Sequence, residues 1–128
     1  MKILFSCVLS IFLLAGCQNQ AVEENRELAT SVMAIHDEAM AKMTDMHELK
    51  LSLQKLLETS GEKENISQAI ADLQSASKGM MNWMHSYKPP KTDTELEGAK
   101  EYLMVEREKI KKVQTDIDNS ISQAKELL

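Results

Sequence analysis

The sequence contains very little cysteine: two residues in a chain of 128, Cys7 and Cys17, both close to the N-terminus. The chain beyond Cys17 has no thiol, so it forms no disulfide even in a compartment that would permit one. Its stability must therefore come from the packing of secondary structure. Aromatic residues are also scarce, at 4% of the chain, and we expect a core of aliphatic residues and methionine.

The sequence also lacks the motifs that are typical of enzymes. It has no Gly-rich phosphate loop, CxxC pair, HExxH or GxSxG sequence. His36, Asp37 and Glu38 form a run of acid–base residues, but consecutive helical side chains point in different directions and cannot act on one atom. The sequence therefore predicts a protein that is not an enzyme.

An excess of positive charge is absent as well. The chain has 15 Lys and Arg against 20 Asp and Glu, which gives a net charge of −5 at pH 7. An acidic surface repels phosphate backbones, so we expect no nucleic-acid partner. It also provides no polybasic attraction to anionic lipids, so binding to a membrane would need another interaction.

The only long apolar run, Ile3–Leu14, is too short for a membrane helix, because about 20 residues are needed to span a bilayer. With Lys2 before it and small residues after it, this run predicts a signal peptide. The sequence Leu14-Ala15-Gly16-Cys17 resembles the lipobox of bacterial lipoproteins. That resemblance implies cleavage before Cys17, acylation of Cys17 and attachment of the mature chain to the lipid bilayer. The alternative is plain secretion, with Cys17 as a free or paired thiol.

The chain is predicted to contain one folded domain after the signal. We expect residues 1–16 to be cleaved, residues 17–22 to form the acylated N-terminus with a polar spacer, and residues 23–128 to fold. Hydrophobic residues recur at helical spacings through the domain, and no strand-type alternation is present. These patterns predict an all-α fold with coiled-coil-like heptads.

Three helices are predicted, at about 23–58, 64–88 and 93–128. Gly61 ends the first and Pro89-Pro90 ends the second, while Thr92 with Glu95 forms a capping box that begins the third. Short connections make neighbouring helices antiparallel, so the expected fold is an antiparallel three-helix bundle.

The predicted core follows the helical period of each segment. In the first helix it comprises Leu28, Val32, Ile35, Ala39, Met46, Leu49, Leu53 and Leu56, with Lys42 interrupting the series. In the second it comprises Ile66, Ile70, Leu73, Ala76, Met80, Met84 and Tyr87. The third helix has two heptad sets, one of Leu96, Leu103, Ile110, Ile117 and Ala124, and one of Ala99, Glu106, Val113, Ser120 and Leu127.

Thioether and imidazole side chains are concentrated on the first two helices. The hairpin register predicts Met81 and His85 opposite the middle of the first helix, and Tyr102 beside Gly79, whose missing side chain would leave room for the ring. Thioether and imidazole ligands suit Cu(I), and Trp83 could place its ring over such a cation. One hypothesis is thus a Cu(I) site formed by His36, Met40, Met43, Met81, Met84 and His85. The other is that the methionines fill the core and the histidines lie at its wet edge.

Two stretches, Ile35–Met43 and Met80–His85, resemble small bacterial envelope lipoproteins that often carry the label "viral A-type inclusion protein". The resemblance extends over most of the chain after Cys17. It implies the helical fold and the lipid tether, but no viral role and no established activity. Gln18 follows Cys17 where inner-membrane lipoproteins commonly have aspartate, so we expect an outer-membrane location, facing the periplasm or the cell surface.

We therefore expect a lipid-anchored envelope protein that acts as a non-enzymatic protein-binding or structural helical module. A Cu(I)-binding lipoprotein is the alternative. The third helix is predicted to extend beyond the hairpin of the first two. Its exposed apolar face would bind a protein partner or a second copy through Ile117, Ile121, Ala124 and Leu127.

Overall fold

The computed structural model describes the backbone of residues 4–128 and the side chains of residues 18–128. The side chains of the expected signal peptide and of Cys17, the expected lipidation site, therefore lie outside the described part of the chain. Apart from short connections, the described chain is helical, and it has no β-strand. Its helices are α1 (Leu4–Met40), α2 (Met43–Thr59), α3 (Lys63–Ser86), α4 (Asp93–Glu97) and α5 (Lys100–Glu126). Within this part of the chain, no helix has the length and hydropathy needed to cross a membrane.

The region expected to be a spacer is helical. α1 continues through residues 18–22 without interruption. Gln20 donates to the Glu24 carboxylate one turn later at 3.0 Å, and Ala21 and Val22 are half-buried. Gln18 also donates to Glu97 of α4, at 3.0 Å. These side-chain contacts hold residues 18–22 in the helix, so the segment predicted to be a spacer has regular helical structure.

The first predicted helix, 23–58, is divided at Ala41-Lys42 into α1 and α2. The amide of Lys42 donates to the carbonyl of Ala39 at 3.1 Å, a three-residue spacing that tightens the turn locally. Lys42 would otherwise occupy a core position between Ala39 and Met46, which are both buried. Its ammonium group instead forms an ion pair with Asp118 of α5. The break thus keeps a charged side chain out of the core.

The third predicted helix, 93–128, is also divided. The hydroxyl of Thr92 accepts a hydrogen bond from the amide of Glu95 at 3.2 Å, which confirms the predicted N-terminal cap. The chain leaves helical geometry at Gly98 and re-enters it at Lys100. α3, in contrast, ends close to the predicted position, because Tyr87 adopts an extended conformation before the two prolines.

The helices pack against one another in an all-helical bundle, α1 on α4 and α5, α3 on α2 and α5, and α2 also on α5. Bonds from Arg107 to Ser31, at 3.1 Å, and from Gln114 to Glu38, at 3.0 Å, show that α5 runs parallel to α1. α3 runs antiparallel to α2, because the two helices pack together and only residues 60–62 connect them.

The core follows the predicted heptads closely. Every member of the first set of the third helix is buried, and the second set is buried or half-buried, including Glu106 and Ser120. The predicted core residues of the first helix are likewise buried or half-buried. In α3 the assignment of Met84 was wrong: it is 42% exposed, while Trp83 and Ala69 are buried. The Trp83 position continues the seven-residue spacing of Ala69 and Ala76, so the larger ring occupies the inward position.

The expected register of Tyr102 against Gly79 was wrong. A side chain at Gly79 would meet nothing within 4 Å, and Tyr102 packs on Tyr87 instead. The extended residues after α3 and the short α4 shift α5 by about two turns relative to a tight hairpin.

The C-terminal part of α5 does not extend beyond the hairpin. Ile117 and Ala124 are fully buried, and Ile121 and Leu127 pack against the core. Leu127 lines a surface groove together with Asn65 at the beginning of α3, so α5 ends level with the hairpin. The predicted exposed face is therefore absent from this part of the described chain.

Candidate functional site

Aromatic rings form a continuous stack near the C-terminal end of α3. Trp83 is 5% exposed and stacks on Tyr87, with ring centroids 4.7 Å apart and planes inclined by 15°. Tyr87 in turn lies 6.2 Å from Tyr102 of α5, with planes inclined by 4°. On its other side Trp83 contacts His36 of α1, at a centroid distance of 5.6 Å. The stack thus connects α1, α3 and α5.

Three buried polar atoms beside this stack have no hydrogen-bond partner in the described chain: Trp83 Nε1, Tyr87 Oη and Glu106 Oε2. Burial raises the pKa of Tyr87 above its usual value of 10.0, and the neighbouring Tyr102 and Glu106 raise it further. The other oxygen of Glu106 accepts from Lys109 Nζ at 2.7 Å. This hydrogen bond raises the pKa of Lys109. A carboxylate at a core heptad position is therefore paired on one oxygen only.

A cleft of about 640 Å³ lies between Tyr102 and the loop that contains Pro89-Pro90. Two amides of this loop are already paired: Lys88 donates to Tyr102 Oη at 2.8 Å, and Lys91 donates to Glu95 at 2.6 Å. These bonds fix an extended segment that has no helical hydrogen bonds of its own. The cleft is thus explained by the connection between α3 and α4.

The six predicted metal-ligating residues do not share one environment. Met40 and Met43 are half-buried and pack against the core. Met81 and Met84 are 38% and 42% exposed. His85 is exposed, and its Nδ1 hydrogen-bonds to the carbonyl of Met81 at 2.7 Å.

His36 and His85 are each held by their own helix. His36 Nδ1 lies 2.9 Å from Asp37 Oδ1, and the ring packs on Trp83. Among the described side chains, no hydrogen bond or ring contact joins the two histidines. The two imidazoles thus have different partners, and the six-residue set stays a prediction.

A different combination of the same residue types lines one groove between α2 and α3. This groove, which we call the methionine groove, has a volume of about 350 Å³. Its lining includes Met43, Met46, His47 and Met81, together with Lys50 and Lys78. His47 was not in the predicted ligand set, although its spacing of four residues from Met43 places both on one helix face. Within the described chain, no group of three or more His, Cys, Asp or Glu residues could hold a metal ion.

Asn25 is a buried polar residue that the core prediction missed. It is 2% exposed, and its Nδ2 donates to the carbonyl of Leu96 at 2.7 Å and to that of Glu97 at 3.5 Å. These carbonyls lie at the end of α4, where that of Leu96 also accepts from the amide of Ala99 at 3.1 Å. Asn25 precedes Val32 by seven residues, so the heptad of α1 could have identified it.

Comparisons with known proteins add no assignment to this site: no protein-family model, curated protein or solved structure matches the chain.

Proposed function

We propose that this protein is a lipid-anchored, non-enzymatic helical module of the bacterial cell envelope. Acylation of Cys17 would attach the chain to the membrane, and the bundle would act as a structural spacer or as a binding module for another protein. The sequence Leu14-Ala15-Gly16-Cys17 is the observation that carries the tether. The proposed compartment is the outer membrane, facing the periplasm or the cell surface.

The geometry near Cys17 supports a stiff attachment. Gln18, the next residue, already contacts Glu97, and Arg26 pairs with Asp93 at 2.9 Å. The packed part of the molecule therefore begins directly after the proposed acylated residue. Since a helix rises 1.5 Å per residue, α1 after Gln18 and α2 together extend for about 60 Å. Such a length suits a spacer that places the α2–α3 turn far from the anchor.

We further propose that the mature chain is a three-helix bundle, in which α1 with α2 and α4 with α5 each form one interrupted column beside α3. The parallel pairing of α1 with α5 and the antiparallel pairing of α3 with α2 support this architecture. A protein contact through the third column stays part of the proposal. The C-terminal heptads of α5 give this contact no support, because they are buried.

The tether is tested by metabolic labelling with radioactive palmitate in a bacterial host that processes lipoproteins. We expect label on the wild-type protein and on Cys7→Ala, because Cys7 is removed with the signal. We expect none on Cys17→Ala. An unlabelled wild-type protein, or equal labelling of Cys17→Ala, would contradict the proposal. Protease treatment of intact cells then distinguishes a surface location from a periplasmic one.

The role as a module is tested by crosslinking the wild-type protein in cells and by sedimentation of the purified protein in detergent. A specific crosslinked partner, or a defined oligomer, is the expected result for a binding module. A protein that is strictly monomeric and gives no crosslinked species would restrict the proposal to a spacer.

A Cu(I)-binding lipoprotein is the second candidate function. The observation that favours it is the methionine groove, which is lined by Met43 and His47 from α2 and by Met81 from α3. Competition of the purified protein with a chromophoric Cu(I) chelator tests it directly. If the protein withdraws no Cu(I), this candidate is excluded.

A further inference from the structure

We propose that the methionine groove is a site for a soft monovalent cation, Cu(I) in particular, and that its ligands are the thioethers of Met43 and Met81 and the imidazole of His47. The proposal rests on the second candidate function and deepens it, because it replaces a six-residue set with three residues that line one groove. It also assigns a role to His47, which the earlier set omitted.

The placement of the three side chains follows from the helix pairing. Met43 and His47 are four residues apart on α2, so their side chains are neighbours on one face. Met81 lines the same groove from α3. The ligands therefore come from both walls of the groove, and an ion held by them would connect α2 to α3.

The mobility of the donors also suits a metal site. Met43 is half-buried against the core, whereas Met81 is 38% exposed. Methionine has three rotatable side-chain bonds, so an exposed thioether can turn toward an ion without disturbing the helix. His47 is exposed, and neither of its ring nitrogens hydrogen-bonds to another described residue. A free imidazole can present either nitrogen to the ion.

The other two imidazoles are less suited to the groove. His36 packs on Trp83 and hydrogen-bonds to Asp37. His85 hydrogen-bonds back to the carbonyl of Met81 on its own helix. Neither lines the methionine groove. The position of the ring, and not the sequence spacing alone, therefore selects His47.

The charge of the groove determines which ion it accepts. Its lining includes Lys50 and Lys78 but no carboxylate. Coulomb repulsion from these ammonium groups is twice as large for a divalent ion as for a monovalent one at the same position. Thioethers are also poor ligands for hard cations and good ligands for Cu(I). The site should therefore prefer Cu(I), or its redox-stable analogue Ag(I), to Zn²⁺ and Cu²⁺.

The experiment uses the mature lipoprotein, labelled with ¹³C at the methionine methyl groups and purified in detergent. It is titrated with Ag(I), and with Cu(I) under anaerobic conditions, while methyl and histidine-ring NMR signals are recorded. We expect the signals of Met43, Met81 and His47 to move together and to saturate. Met104 is the internal control, because it is 53% exposed, more than Met81, and lies on another helix.

Variants then measure affinity by chelator competition. Met43→Leu, Met81→Leu and His47→Gln should each weaken Cu(I) binding about tenfold or more. Met104→Leu, a matched substitution of an exposed methionine, should leave it unchanged. Far-UV circular dichroism verifies that each variant is folded, and Met-to-Leu exchange conserves core volume.

The outcomes separate this inference from the function on which it rests. If the wild-type protein binds neither ion, both fail. If it binds, but only His36→Gln or His85→Gln weakens binding, the copper function stands and the His47 site is wrong. If Met104 responds as strongly as Met81, the ion is bound by exposed thioethers in general, and the site is also wrong.

Discussion

Glu106 provides the sharpest test of how this core is held together. Its side chain is only 4% exposed at a core heptad position, with one oxygen paired to Lys109 and the other without a partner in the described chain. A buried acceptor left unpaired costs about 1–3 kcal/mol. Replacement of a buried charge by an apolar residue of similar size is often stabilising, by about 1–4 kcal/mol. We therefore expect Glu106→Leu to raise the free energy of unfolding by about 2 kcal/mol.

The measurement is urea unfolding of the mature protein, followed by circular dichroism at 222 nm. A gain of about 2 kcal/mol should raise the midpoint by roughly 1 M at an unchanged m-value. Substitution of Lys109 by Met should act in the opposite direction, because it leaves the buried carboxylate with neither oxygen paired. The two substitutions remove the same ion pair, so their opposite signs identify the buried charge as the cause.

Ser120→Ala is the matched control. Ser120 belongs to the same heptad set and is equally buried, but its hydroxyl donates to the carbonyl of Ile117 at 2.8 Å. We expect this substitution to change stability by less than about 1 kcal/mol, because it removes one satisfied hydrogen bond. A Glu106→Leu protein that is less stable than wild type would refute the reasoning, since it would mean that the second oxygen has a partner worth more than the cost of burial.

Three further predictions concern stability. Gly79→Ala should raise the free energy of unfolding by about 1 kcal/mol in the same urea assay, because a Cβ there meets nothing within 4 Å and alanine favours the helix. A lower free energy of unfolding would indicate a crowded site. Asn25→Ala should lower the free energy of unfolding by about 1–2 kcal/mol, since it removes the side-chain donor to the carbonyl of Leu96. An unchanged urea midpoint would show that this hydrogen bond is dispensable. The raised pKa of Tyr87 means that the folded state holds the phenolic proton more tightly than the unfolded state. Its contribution is fully present below pH 10.0 and is lost as the pH rises through the folded-state pKa, so stability should fall in that alkaline window. Tyr87→Phe should make this decline shallower, and equal pH profiles for the two proteins would contradict the assignment.

Parts of the fold could be predicted because they depend on local periodicity. The seven-residue spacing from Leu96 to Ala124 identifies the buried side of the third helix, and every member of that set is buried. The N-terminal cap at Thr92 follows from residues three positions apart. Both features are set within a few turns of one helix, so no knowledge of the neighbouring helices is needed.

The helix breaks could not be predicted in the same way. No proline or glycine marks the interruption at Lys42, which is accompanied by an ion pair with Asp118 on a distant helix. The break at Gly98 is accompanied by bonds from Asn25 to the end of α4. In each case the partner lies about 70 residues or more away along the chain. A pattern read along one segment does not contain that information.

The candidate site was likewise predictable only in part. Spacing along the chain indicated that the thioethers and imidazoles occupy common faces, and Met43 and Met81 do line one groove. Spacing could not decide which histidine accompanies them, because that depends on the rotation of α3 about its axis. With Trp83 buried, the ring of His85, two residues later, is directed elsewhere and is exposed.

The amino-acid sequence alone thus determined the helical class, the inward faces of the first and third predicted helices and the lipobox-like N-terminus on which the proposed tether depends. Each of these is a property of neighbouring residues and of the 3.6-residue helical turn. Only the tertiary structure decided where the first and third predicted helices are interrupted, that α5 ends level with the hairpin, and that His47 shares a groove with Met43 and Met81. Those features arise from how the connections and the side chains of separate helices fit together, a balance of non-local packing and hydrogen-bond energies that no single segment contains.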